Sequence, residues 1–412
     1  MISKKSIFVI FLYFFSFILI YNPSIFFNFN LAYILTIISF VVILITKNSI
    51  KYFLYNKRFL AFTFFNIFYL IYAFAIDASE KPTRWVTFFV TYLGVVNAYA
   101  FVLIFIKVYG FDFDRLLDFL IKLGLIQVVF VILSILIPEF RDWVLSSVRT
   151  NSDIDLVSIS NDYGGIRSFG LSSNFTSGLP MFMGILSLFS LYFLINKKQI
   201  KYKLYYGFSF LLFLFTVVLN ARIGLTPLMF FLLLYPFIIL SNLRNIVAFF
   251  IITCTGLIFS LFLWSYLSSN KYFERLKMGY EEIEQLFKGE KTGNLSTLSD
   301  MFFIPTNFHG FFWGEGVDVF GRYKLSSDIG FVRDIYMLGF LYFLLFFVVF
   351  YYLMKPFLFY AKNKFGFIFI VILVFSLFVY YWKGMIYSPT EIYNLIFILS
   401  VFSCLKYSFK IN

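Results

Sequence analysis

The sequence predicts an all-α, polytopic integral membrane protein: a bundle of about twelve transmembrane helices carrying two large external loops. Three observations predict it. Of 412 residues, 61% are hydrophobic and only 13% are charged, about half the charge of a soluble domain. Apolar runs close to the ~20 residues that span a bilayer recur from end to end. The basic residues also gather on one side of those runs. Segments in lipid must satisfy their own backbone polar groups, so such runs form helices.

In chain order, the first run is 6–22, after Met1-Ile2-Ser3-Lys4-Lys5. That start resembles a signal peptide, but no small-residue cleavage pattern follows at Tyr21-Asn22-Pro23, so the run reads as an uncleaved first span. Spans 30–46, 59–76, 85–106 and 116–137 follow, and 138–175 is the first large external loop. Then come 176–195, 204–220, 223–240 and 246–267, and the second large external loop, 268–332. Spans 333–354, 365–382 and 387–405 complete the set. In the second loop Phe273, Leu276, Tyr280, Ile283 and Phe287 recur at helical spacing, predicting an amphipathic helix at about 271–289. Its polar side pairs Lys277 with Glu281 and Glu284 with Lys288, and the helix would lie on the outer membrane surface or dock on the bundle. No Gly/Ser-rich linker, charge block or internal repeat divides the chain, so 1–412 reads as a single transmembrane domain.

Direction follows from lysine and arginine. With the N-terminus cytoplasmic, the cytoplasmic segments carry 19 basic residues and three acidic ones, Asp112, Asp114 and Asp118, a net of +16. The rest carries 15 basic and 18 acidic residues, a net of −3. The whole positive excess therefore lies on one side, and both termini read as cytoplasmic. The net charge of +13 is thus a topology signal, and no nucleic-acid partner is expected. Cys254 and Cys404 both lie in apolar runs and His309 is the single histidine, so neither a disulfide framework nor a multi-histidine metal site is expected.

Several polar residues stand out. Arg222 lies in Asn220-Ala221-Arg222-Ile223-Gly224, between two apolar runs that leave almost no room for a loop. An arginine in a span costs ~2.5–3.5 kcal/mol on the insertion scale, so it faces a polar cavity or an anionic partner, unless it snorkels to the headgroups. Arg167 lies in a Gly/Ser/Asn-rich stretch that runs into the sixth span. Ser172, Ser173, Asn174 and Thr176 suit a helix N-cap, where free N–H groups favour an anion, and the arginine beside them could fork onto phosphate. A solvated surface turn is the plain alternative. The second loop ends in Trp313-Gly314-Glu315-Gly316-Val317-Asp318 and then Asp328, Arg333 and Asp334. A carboxylate there could act as general base on a sugar hydroxyl, or the group could be an ion-paired cluster fixing helix register. His309 reads as a solvated loop residue, and Trp85, Trp143, Trp264 and Trp382 as interfacial anchors.

Three of these stretches resemble the O-antigen polymerase (Wzy) family, in the wider group that includes the O-antigen ligases. Ten residues separate Arg167 from Gly178, like the family's Arg…Gly loop pattern. Asn220-Ala221-Arg222-Ile223-Gly224 is similar to its short Ser/Asn-x-Arg-x-Gly turn. Trp313-Gly314-Glu315-Gly316, Asp328-Ile329-Gly330-Phe331-Val332 and Leu338-Gly339-Phe340 resemble the end of the second loop and the span after it. Arg322 stands only eight residues before Gly330, so the second loop lacks the Arg…Gly pattern. Where the ligase branch usually carries a histidine, this chain has Ser327-Asp328-Ile329-Gly330.

The resemblance implies a metal-independent, cofactor-free glycosyltransferase of a bacterial inner (plasma) membrane, making O-antigen, lipopolysaccharide or capsule polysaccharide on the external side. It would move a growing glycan from a polyprenyl (undecaprenyl) diphosphate to a lipid-linked repeat unit, with inversion or retention. Arg167, Arg222 and Arg333 would bind the diphosphate, Arg222 also stabilising its charge as it leaves, and Asp328 would be the general base. A chain-length regulator and a flippase would be partners. The alternatives are a lipid-linked oligosaccharide flippase or transporter, which usually shows internal repeats, and an O-antigen ligase.

Overall fold

The computed structural model describes residues 4–23, 31–47, 49–77, 84–147, 168–172, 178–239, 288, 300–319, 326–384 and 390–410. These form fourteen α-helices, one 3₁₀ turn and no strand. In order they are α1 (Lys4–Tyr21), α2 (Leu31–Ile45), α3 (Ser49–Tyr55), α4 (Lys57–Ile76), α5 (Arg84–Tyr109), α6 (Phe113–Leu136) and α7 (Pro138–Ser147). After these come α8 (Gly178–Asn196), α9 (Ile200–Asn220), the 3₁₀ turn (Arg222–Leu225), α10 (Thr226–Ile239) and α11 (Phe308–Trp313). The chain closes with α12 (Gly330–Phe365), α13 (Phe367–Lys383) and α14 (Glu391–Lys410).

Each predicted span except 246–267, which lies outside the described residues, coincides with one of these helices. Six, namely α4, α5, α6, α8, α9 and α12, are by themselves long and apolar enough to cross a membrane, or seven if α2 and α3 count as one span. The amphipathic segment expected at 271–289 also lies outside the described residues, apart from Lys288. Two stretches expected as external loop behave otherwise. Residues 138–147 form α7, and Ser168–Ser172 are buried inside the bundle.

The bundle departs from a water-soluble fold at its surface, which is apolar like its core. Ile37, Leu44, Ile45, Phe64, Phe74, Leu204, Phe208 and Val348 are all exposed. Such a continuous apolar surface needs a covering, and hydrocarbon supplies it. The centre is built from α5 and α8, buried over 78% and 83% of their apolar stretches, against 33% and 28% for α4 and α9. A helix that is apolar all round belongs in such a centre. Polar groups bind the helices to one another where lipid offers no hydrophobic drive for their association. Ser39 Oγ donates to Asn97 Oδ1 at 2.8 Å, joining α2 to α5. Asn394 Nδ2 donates to the Leu19 carbonyl at 2.7 Å, joining α14 to α1.

The charged residues sort into two sets at opposite ends of the bundle. At one end Lys364 pairs with Asp114 at 2.6 Å and Lys122 with Asp118 at 2.7 Å. Tyr206 donates to the same Asp118 at 2.9 Å. At the other end lie Arg84–Asp334, Arg333–Asp318 and Lys383–Asp328. Among the described residues no ion pair joins the first set to the second.

Candidate functional site

The Arg222 turn is fixed by backbone contact. Ala221 is extended (φ −156°, ψ 127°), which ends α9 after Asn220 and starts the 3₁₀ turn. The turn then lies directly on α8. A Cβ on Gly184 would stand 2.0 Å from the Gly224 carbonyl oxygen, and one on Gly224 would stand 2.2 Å from the Pro180 carbonyl oxygen. No side chain fits at either position, so the two backbones touch as small-residue contacts in membranes allow. Asn220 Nδ2 donates back to the Thr216 carbonyl at 3.0 Å. The backbone of Arg222 is therefore anchored; its side chain lies outside the described residues.

The second motif follows the same logic. Arg167 lies outside the described residues, but the segment directly after it, Ser168–Ser172, is buried non-helical backbone against α6. Gln127 Nε2 donates to the Phe169 carbonyl at 2.6 Å. Gly170 has φ +54°, and a Cβ there would stand 2.8 Å from Gln127 Nε2 and 3.1 Å from the Val131 amide. Gln127 lies nine residues from the end of α6, about 13 Å along the helix. Irregular backbone at such depth is tolerated only when buried in protein or lining a cavity. Ser172 Oγ donates to the fully buried carboxylate of Glu391, which opens α14, where the helix dipole favours a negative charge.

The third motif surrounds the start of α12. Ser327 is buried, its N–H donating to the Val319 carbonyl at 3.0 Å while its Oγ accepts from the Ile329 N–H at 3.1 Å. Asp328 is partly exposed, with Lys383 Nζ 3.7 Å from Oδ2. Arg333 does not face an open cavity: its fork meets Asp318, Nε to Oδ1 at 3.0 Å and Nη2 to Oδ2 at 2.8 Å. A diphosphate binding Arg333 would have to displace that carboxylate. Asp334, one residue on, is fully buried and pairs with Arg84, itself 5% exposed, while Tyr381 Oη donates to its other oxygen at 2.6 Å.

Nine residues into α12, Gly339 leaves helical geometry (φ 86°, ψ 167°) and breaks the helix. Helix α11 and Gly314 fill the break. A Cβ on Gly339 would stand 2.2 Å from the Phe312 carbonyl oxygen, and the Glu315 N–H donates to the Tyr336 carbonyl at 2.7 Å. His309 is exposed, as expected, but lies on α11 where a loop was expected.

The three stretches are linked through the helices that they share. Tyr380 Oη donates to the Met181 carbonyl at 3.4 Å, beside the Gly184–Gly224 contact, while its neighbour Tyr381 holds Asp334. A Cβ on Gly330 would stand 2.4 Å from the Gly384 carbonyl oxygen, so the start of α12 lies on the end of α13. Through α8, α13 and α14 the Arg222 turn, the segment after Arg167 and the Asp328–Asp334 stretch are thereby joined. Within the described residues these stretches hold the anchored backbone of Arg222, Arg333 forked onto Asp318, and Asp328, a partly exposed carboxylate of a kind able to take a hydroxyl proton. Among the described residues no three His, Cys, Asp or Glu side chains converge as metal ligands.

Arg84, Tyr381 and Glu391 carry much of this architecture and were not singled out from the sequence. A signal existed for two of them. Arg84 and Glu391 are single charges set against the start of long apolar runs, where a charge is costly unless a partner meets it. Tyr381 is one of 30 tyrosines, and nothing local marks it. The chain matches no protein-family model, no curated protein and no solved structure.

Proposed function

We propose that this chain is a polysaccharide repeat-unit polymerase of a bacterial plasma membrane. It has twelve spans, cytoplasmic termini and a site on the external face. The acceptor is a lipid-linked repeat unit, and the donor is the growing glycan on a polyprenyl diphosphate. A hydroxyl oxygen of the acceptor sugar bonds to the anomeric carbon of the donor, whose bond to the diphosphate oxygen breaks. The hydroxyl proton passes to Asp328, and the polyprenyl diphosphate leaves with its charge held by Arg222 and Arg167. Stabilising charge as it develops is usually the main way such a site accelerates its reaction. Arg333 is the third cation, reached once Asp318 gives way.

The observation that supports this reading is the linkage, through α8, α13 and α14, of three stretches that lie far apart in the chain. In the sequence each bears or directly follows an arginine or a carboxylate suited to this transfer. One observation favours a transporter instead: α12 is broken at Gly339, and discontinuous helices mark transporter sites. That break is packed shut by Gly314 and Phe312, which weakens the alternative.

The test is the surface polysaccharide of a strain carrying Arg222→Ala. A single repeat unit in place of the polymer ladder, with the protein still inserted, is the expected result. Lipid-linked units trapped on the inner leaflet would mean a flippase. Loss of attachment to the lipid core with free polymer retained would mean a ligase, and a normal ladder would remove the assignment.

A further inference from the structure

Because Gly339 interrupts α12, its outer piece, Gly330–Leu338, is not extended by the longer helix that follows. An isolated helix shorter than ~12–15 residues is marginal even with good helix formers, so tertiary contacts must hold this piece. Gly330 lies on the backbone of α13, and Phe331 packs on Trp382 with ring centroids 5.0 Å apart. Arg333 meets Asp318. Asp334 ties the piece to two other helices through polar contacts, gripped by Arg84 from α5 and by Tyr381 from α13. Arg84 also lies over the Phe88 ring, its guanidinium carbon 5.7 Å from the centroid, so the cation itself has little freedom.

A buried ion pair is a poor source of net stability, because desolvation offsets the attraction, and its best-attested use is to fix register. Here register means rotation. Successive residues on a helix point about 100° apart, so pinning Asp334 inward fixes the direction of Arg333 and the approach of Asp328 to the helix start.

We infer that Arg84 and Tyr381 are positioning residues: by holding Asp334 they set the rotation of the outer piece of α12, and with it the location of Asp328 and Arg333. This rests on the polymerase reading for Asp328. A reacting group displaced by about 1 Å can lose on the order of 10²-fold in rate, so the clamp matters without touching substrate.

Two variants separate positioning from mere folding. Tyr381→Phe keeps the ring and removes one O–H. Arg84→Met combined with Asp334→Leu replaces the buried pair with apolar groups, which is often neutral or stabilising. Both are made in full-length protein with Cys254 and Cys404 replaced by serine and Ser327→Cys as a reporter, next to Asp328. A membrane-impermeant maleimide reads its exposure in membranes. The expected result is normal insertion and thermal stability, at least ten-fold faster labelling at 327, and a polymer yield at least ten-fold lower. Unchanged labelling in both variants overturns the inference, whatever the ladder shows. Faster labelling with a full ladder also overturns it, because the clamp would then not govern the site. Asp328→Asn, run in parallel, tests the polymerase reading by itself: a normal ladder there removes the base while the labelling still decides the clamp.

Discussion

Replacing Gly184 with alanine tests the contact that anchors the Arg222 turn. The new Cβ would stand 2.0 Å from the Gly224 carbonyl oxygen, 3.0 Å from its carbonyl carbon and 3.1 Å from Tyr380 Oη. Carbon and carbonyl oxygen approach to about 3.3 Å at closest in ordinary contacts, so α8 and the turn must part by roughly 1.3 Å. The obstructing atoms are backbone, with no flexible side chain to yield. Overpacking of this kind costs about 1–3 kcal/mol, and the better helix propensity of alanine returns about 1 kcal/mol. A net loss of up to about 2 kcal/mol is expected. Gly207→Ala, in the interior of α9, is the internal control: its nearest neighbour is Leu194 Cδ1 at 3.6 Å, an ordinary contact. It should gain stability by up to about 1 kcal/mol from propensity alone. The assay is heating in detergent with the monodisperse species followed by size exclusion, and the two variants should move in opposite directions. A Gly184→Ala protein as stable as Gly207→Ala would refute the close approach of α8 to the turn. Polymer yield should fall with Gly184→Ala and stay normal with Gly207→Ala, since only the first moves Arg222.

Gly339→Ala combines a backbone conformation closed to L-residues with a Cβ 2.2 Å from the Phe312 carbonyl oxygen. It should destabilise by about 2–4 kcal/mol, read as lost monodisperse protein or a lower unfolding temperature; wild-type behaviour would mean that α12 is continuous. Asp114→Asn, at the opposite end, breaks the pair with Lys364, whose partners are 40% and 23% exposed. It should change stability by under ~1 kcal/mol and leave the polymer ladder unaltered; a shortened ladder would place function at that end as well.

Legibility in the sequence tracked the range of the interaction. Apolar runs are local, so eleven of the twelve predicted spans fall on helices, and Lys364 meets Asp114 at one end of the bundle while Lys383 meets Asp328 at the other. The site was legible only in part. Asp334 was recognised as a charge at the start of a span, but its partners lie 250 residues back on α5 and 47 residues on in α13, beyond any spacing rule. For Arg333 the sequence offered both a diphosphate contact and an ion-paired cluster; the pair with Asp318, fifteen residues earlier, matches the second, although no spacing rule named that partner. The stretch Ser168–Ser172 read as an external turn, as its Gly and Ser content suggests. Its burial depends on Gln127 and Glu391 meeting its polar groups, and these approach from other helices.

The sequence by itself determined that this is a helical, multi-pass membrane protein with its charges sorted to two ends. Bilayer thickness, backbone hydrogen bonding and charge insertion each act on one contiguous segment, so the order of residues is enough. Tertiary structure alone decided that Gly184 and Gly224 touch, that α12 breaks at Gly339 to receive α11, and that Arg84 and Tyr381 share Asp334. Those outcomes depend on which helix faces which, and that is set by close packing among segments whose apolar faces look alike when read one at a time.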